Sequence, residues 1–167
     1  MKIRANRKKT LLLFLALCLV GNLLACGQAT NPIYRRDFTK ADLEKLRWIE
    51  GSWRGSDING QNPFYERYRF NSESKIETAS FADATFTKVN DAGIVYWENG
   101  EILHKGGEMV WAAGKLNDGM VEFVPKEKAR NSFVWQKEAA DVWTARLINK
   151  DAQGKLIETV YRMERVK

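Results

Sequence analysis

Beyond Gly51 the chain alternates apolar and polar positions with a period of two. In residues 64–70, Phe64, Glu66, Tyr68 and Phe70 fall on one face, and Tyr65, Arg67 and Arg69 on the other. Such alternation predicts strands with one face buried. The same reading predicts strands over residues 52–56, 75–81, 84–89, 93–98, 101–105, 108–116, 120–125, 132–138, 142–149 and 156–166. Turn chemistry separates many of them: Asn71-Ser72, Asn90-Asp91-Ala92-Gly93, Asn99-Gly100, Gly106-Gly107, Asn117-Asp118-Gly119 and Asp151-Ala152-Gln153-Gly154. Asn99-Gly100 is the strongest two-residue hairpin signal, because both positions accept positive φ. Short strands joined by tight turns predict an all-β antiparallel meander. About eight to ten strands in one sheet favour closure into an up-and-down barrel, since closure removes exposed edges. A two-sheet sandwich is the alternative.

Two segments break the alternation. Residues 39–49 predict one short helix that plugs the main body. Thr39 and Asp42 have capping-box spacing, Leu43, Leu46 and Ile49 share a face, and Gly51 ends it. At the other extreme, residues 11–21 are apolar throughout and follow Lys2, Arg4, Arg7, Lys8 and Lys9, with no acid among them. A basic start followed by a short apolar run is the layout of an export signal. The uncharged run of residues 10–25 is shorter than the roughly 20 apolar residues of a spanning helix.

Charge changes meaning once that segment is set aside. The whole chain has 27 basic and 21 acidic residues, +6 in all. Five of the basic residues lie in 1–25, so the remainder carries 22 basic and 21 acidic residues, +1. The apparent basicity belongs to the export signal and is no argument for a nucleic-acid partner. Cys18 and Cys26 are the two cysteines. With Cys18 inside the signal, the folded part has no disulfide and no thiolate metal site.

The stretch Leu23-Leu24-Ala25-Cys26 resembles the lipobox of bacterial lipoproteins. The resemblance implies cleavage after Ala25, lipid attachment at Cys26, and a membrane as the partner of the new N-terminus. Gly27, which is not the inner-membrane retention aspartate, implies the periplasmic side of the outer membrane if the source is Gram-negative. The expected layout is a signal over 1–25, a tether over 26–38 and a barrel domain over 39–167.

Gly51-Ser52-Trp53, at the start of the first strand and just after a short helix, resembles the G-x-W signature of lipocalins and the wider calycin superfamily. The resemblance implies that Trp53 closes one end of the barrel. It further implies that a late basic residue, Arg165 first and Arg162 second, packs over its indole. The chain is also similar to exported bacterial lipocalin-like domains of unknown function. Leu46, Ile49, Gly51 and Trp53 match their opening and Glu66 their second-strand acid. Val121-Glu122-Phe123-Val124-Pro125 matches only the start of their late motif, and Ala129-Arg130-Asn131-Ser132-Phe133 stands where His-Asp-Phe-Pro would follow. Residues 51–63 resemble the haem-binding nitrobindin branch as well, but that branch needs a late histidine and the single histidine, His104, is mid-chain. No haem and no other cofactor is expected.

Glu66 is the most informative candidate. If its face points inward, the carboxyl stands in an apolar cavity, where desolvation raises its pKa unless a partner keeps it charged. Tyr68 shares that face, and Trp97, Trp111, Trp135 and Trp143 are candidates to line the cavity. Glu66, Tyr68, Trp111 and Trp143 form the expected ligand site; Gly51, Trp53 and Arg165 form the expected closure. His104 reads as a surface or mouth-lining residue and cannot build a His-rich metal site. No nucleophile elbow, phosphate loop or placed carboxylate pair points to catalysis. The expectation is a membrane-anchored barrel that binds or carries a small apolar or amphipathic molecule in the cell envelope. The alternatives are a filled barrel serving as a structural or interaction module, and an enzyme on the same scaffold.

Overall fold

A computed structural model describes residues 35–167. The expected signal, Cys26 and residues 27–34 of the expected tether lie outside the described residues.

Ten antiparallel strands follow one another and close on themselves: β1 (Gly51–Asp57), β2 (Phe64–Ser72), β3 (Lys75–Phe81), β4 (Val89–Glu98), β5 (Glu101–Gly106), β6 (Met109–Asn117), β7 (Met120–Glu127), β8 (Ser132–Ala139), β9 (Val142–Lys150) and β10 (Leu156–Arg165). Each strand pairs with its chain neighbours, and β10 returns to β1 to shut the barrel. Closure leaves the all-β meander without a free side. Asn99 and Gly100 both have positive φ, 49° and 83°, as a tight primed turn between β4 and β5 requires.

Two stretches differ from the expected elements. Residues 84–89 were expected as a strand and 90–93 as a turn; instead residues 82–88 form the connection and β4 begins at Val89. Gly93 sits inside the strand, facing Thr78 on β3 and Gly106 on β5. A Cβ there would lie 2.7 Å from the Lys105 carbonyl oxygen, so its glycine permits close backbone approach and marks no turn. Phe86, whose hydrophobicity suggested a strand, turns at φ 53° and packs edge-on against Tyr65 and Phe81. Ile157, which shares the alternation face of Tyr161 and Met163, is exposed, because the β9–β10 hairpin extends beyond the last pair of β10 with β1.

The segment ahead of β1 is α1 (Lys40–Leu43) continued by a 3₁₀ turn (Glu44–Ile49), where one helix was expected. Leu43, Leu46 and Ile49 are spaced by three, which is the period of a 3₁₀ helix, and all three are fully buried. Asp42 accepts hydrogen bonds from the Thr39 backbone N–H and hydroxyl at 2.8 and 2.9 Å, holding the first turn. Phe38, at the end of the expected tether, is buried with them, and its N–H donates to the Gly100 carbonyl. In an up-and-down barrel alternate connections lie at opposite ends. Residues 38–50 stopper the end carrying Gly100 and Asp141, and their apolar side chains join Trp53, Ile76, Val95, Ile102, Val121 and Met163 in one core.

Candidate functional site

Register explains which side chains meet. Directly opposed residues on antiparallel strands point to the same face. Trp53 on β1 opposes Glu66 on β2 and Arg165 on β10, so these three form one row across the inner wall. Within that row the two ends behave differently.

Trp53 is 1% exposed, and its indole N–H donates to the Ile49 carbonyl at 2.6 Å. The Arg165 guanidinium lies 4.1 Å over its ring. The same guanidinium donates to the carbonyls of Glu50 (2.6 Å) and Trp48 (3.2 Å), and to the Asp141 carboxylate (2.9 Å). Arg165 therefore ties the first strand, the stopper and the β8–β9 turn together. Gly51, at φ 130°, takes a conformation that L side chains rarely adopt, and a Cβ there would run into Arg165 Nη1. Arg162, the second choice for that contact, instead pairs with Glu138 at 2.8 Å on the outside.

At the Glu66 end of this row a cavity of about 460 Å³ opens and runs up the barrel toward the opposite end, where Asp91 and Asn131 lie at its rim. Glu66, Tyr68, Trp111 and Trp143 all line it, together with Trp135 and Phe133. Trp53 does not line it, and Trp97 lies at the stoppered end, where its N–H donates to the Phe38 carbonyl. Trp135 stacks edge-on with Tyr68 and Trp143 at 5.5 and 5.7 Å between ring centroids. Tyr68 and Trp143 meet in the same way at 5.8 Å, so three rings form a mutually packed floor.

Glu66 Oε2 accepts a 2.6 Å hydrogen bond from the Tyr68 hydroxyl, its one hydrogen-bond partner among the described residues. Burial pushes the Glu66 carboxyl above the usual carboxylate range, and the Tyr68 hydrogen bond offsets part of that rise. Burial raises the Tyr68 hydroxyl well above the ordinary phenol value.

His104 is placed inside, not at the surface or the mouth. It opposes Trp111 across β5–β6, and the Trp111, Phe123, Phe133 and Trp135 rings surround it at 5.4–5.7 Å. Its Nδ1 is buried without a hydrogen-bond partner among the described residues, and desolvation lowers its pKa to about 4. The imidazole is neutral at pH 7. Strand β5 hid this from pattern reading, because Leu103 is also buried, under a small outer cluster with Val110 and Ala112. With both faces covered, alternation marks neither as inner. Glu122 lies outside the cavity and pairs with Lys115 at 3.3 Å, so it forms no carboxylate pair with Glu66. Among the described residues, no three His, Cys, Asp or Glu side chains come together as a metal site.

No family model matches the chain, and no curated protein matches it. Among solved structures it is similar to a protein of unknown function from the DUF3598 family of Nostoc punctiforme PCC 73102, at 14% identity and a TM-score of 0.47. That match covers 83% of this chain and 53% of the other, so the chain spans about half the length of that protein. It is also similar to a redesigned beta barrel (8% identity, 78% and 99% of the two chains, TM-score 0.36) and to EF1p2_mFAP2b bound to DFHBI (8% identity, 73% and 97%, TM-score 0.39). These are likenesses of architecture and say nothing about the site.

Proposed function

We propose that the chain is a lipid-anchored barrel of the cell envelope that holds a small amphipathic molecule inside. The observation that carries this reading is the cavity of about 460 Å³, walled by aromatic rings, with the Glu66 carboxyl and the His104 imidazole inside and Asp91 at its rim. Its size lies within the roughly 300–1,000 Å³ of small-molecule sites, and a mostly apolar wall with few polar groups is their usual make-up. A barrel filled by its own side chains would close this space. Lipid attachment at Cys26, the calycin kinship read from the G-x-W, and an outer-membrane address in a Gram-negative cell belong to the same proposal. The supports for anchoring are the basic start, the apolar run and the small residue before Cys26.

Titration of intrinsic tryptophan fluorescence with the neutral dye N-phenyl-1-naphthylamine tests the cavity, since Trp111, Trp135 and Trp143 form its wall. A saturable change at one site per chain, lost in Ala145→Trp, is expected, because Ala145 lines the cavity and an indole there would occupy it. No saturable change would count against ligand binding. For the anchor, Cys26→Ala is expected to move the protein from the membrane to the soluble fraction.

A further inference from the structure

We infer that the molecule this cavity takes is a hydrophobic organic cation, a protonated or quaternary amine carried on an apolar body. The inference deepens the ligand-binding proposal and rests on it. Its starting point is the charge inventory of the wall. The chain has 27 lysines and arginines, yet none of the described residues lining the cavity is one of them. Two are carboxylic acids: Glu66 within, and Asp91 at the rim. His104, the other ionisable base inside, is kept neutral by its aromatic surroundings.

Glu66 is thus a carboxyl without a cation. Ionised, it pays the desolvation cost of an unpaired charge with a single hydroxyl partner. The basic side chains of its own strand do not relieve it. Arg67 donates to the Ser52 hydroxyl at 3.1 Å and stacks on Phe81 and Phe86, and Arg69 follows Arg67 on the other face of β2. A cation brought by the ligand would relieve it, and the surroundings suit one. The rings of Tyr68, Trp135 and Trp143 pack together in the wall of the same cavity as the carboxyl, and Tyr68 is bonded to it. An acid against clustered aromatic faces recognises an ammonium group through ion pairing and cation–π attraction, both strengthened where water is excluded. The apolar body then lies along Trp111 and Phe133 toward the mouth. An anionic amphiphile meets like charge at Glu66 and Asp91. A neutral one gains a hydrogen bond at best.

Three probes of equal chain length separate these cases: hexyltrimethylammonium, 1-hexanol and hexanoate, each titrated into the full-length protein with tryptophan fluorescence as readout. The cation is expected to bind about tenfold or more tightly than the alcohol, and hexanoate to give no saturable change. Glu66→Gln is expected to erase the preference for the cation over the alcohol. Hexanol or hexanoate binding as tightly as the cation in the unsubstituted protein would overturn the charge assignment and leave the ligand-binding reading standing. Retention of the full preference in Glu66→Gln would overturn it too. No saturable change with any of the three would overturn both.

Discussion

The stoppered end and the cavity half of this barrel are built from similar residues but differ in what their ionisable groups contact. At the stoppered end Trp53, Trp97 and Arg165 spend their donors on the backbone and the acids that pack around them. Facing the cavity, Glu66 has one hydrogen-bond partner among the described residues and the Nδ1 of His104 has none; the indole N–H of Trp143, which packs between cavity and stopper, and that of Trp48 in the stopper are also without one. Both halves are rich in aromatics, so ring content alone does not tell plug from pocket. The difference lies in what the polar groups are left to do. Where the protein satisfies them, the side chains hold the fold. In the cavity the shortfall falls on two titratable groups, Glu66 and His104, that line an open space.

The largest effect expected from this contrast is at the stopper. Trp53→Ala removes a fully buried indole and the platform under Arg165, and is expected to cost about 3–5 kcal/mol in urea unfolding. A loss below about 1 kcal/mol would mean that the indole is not what closes the barrel.

The second effect concerns pH and belongs to the cavity half. The folded pKa of His104 is depressed by burial to about 4, below the roughly 6.5 of an exposed histidine. Between those values the unfolded chain takes up a proton that the folded one refuses, so stability falls as pH drops from about 6.5 to 4. Compared with His104→Phe, the unsubstituted protein is expected to lose roughly 3 kcal/mol across that window. Glu66 works in the opposite sense. Its folded pKa is raised, so its contribution is present below the unfolded carboxylate value and is lost as pH rises through the folded one. The pairwise difference isolates the histidine, because Glu66 is present in both proteins. Parallel stability curves for the two proteins would place His104 in water.

The smallest effect is Tyr68→Phe, expected to cost about 1 kcal/mol, since it removes the hydroxyl that Glu66 uses and leaves the carboxyl without a partner. The same substitution is expected to raise the Glu66 pKa further, which carboxyl-carbon NMR titration reads directly. An unchanged Glu66 titration would mean that the 2.6 Å contact has no energetic weight.

Much of the barrel was legible in the sequence because strand alternation and turn chemistry act locally. The β4–β5 turn at Asn99-Gly100 and the limits of β3 follow from the residues alone. The failures were places where distant contacts decide. Gly93 reads as a turn until β3 and β5 are seen to crowd it. Leu43, Leu46 and Ile49 read as a helical face without saying that the helix is 3₁₀. Glu66 and Tyr68 could be placed on one face of β2, but the cavity around them is completed by seven other strands. His104 was the largest omission: a strand covered on both sides carries no inner–outer signal, and the aromatic box around the imidazole comes from β6, β7 and β8.

Native mass spectrometry of the full protein, isolated from its native source in mild detergent, tests most directly whether the cavity half is a container. The expected spectrum shows one non-covalently held small molecule per chain, displaced by hexyltrimethylammonium and absent from Ala145→Trp. A spectrum of the bare chain alone, unchanged when that probe is added, would contradict the account.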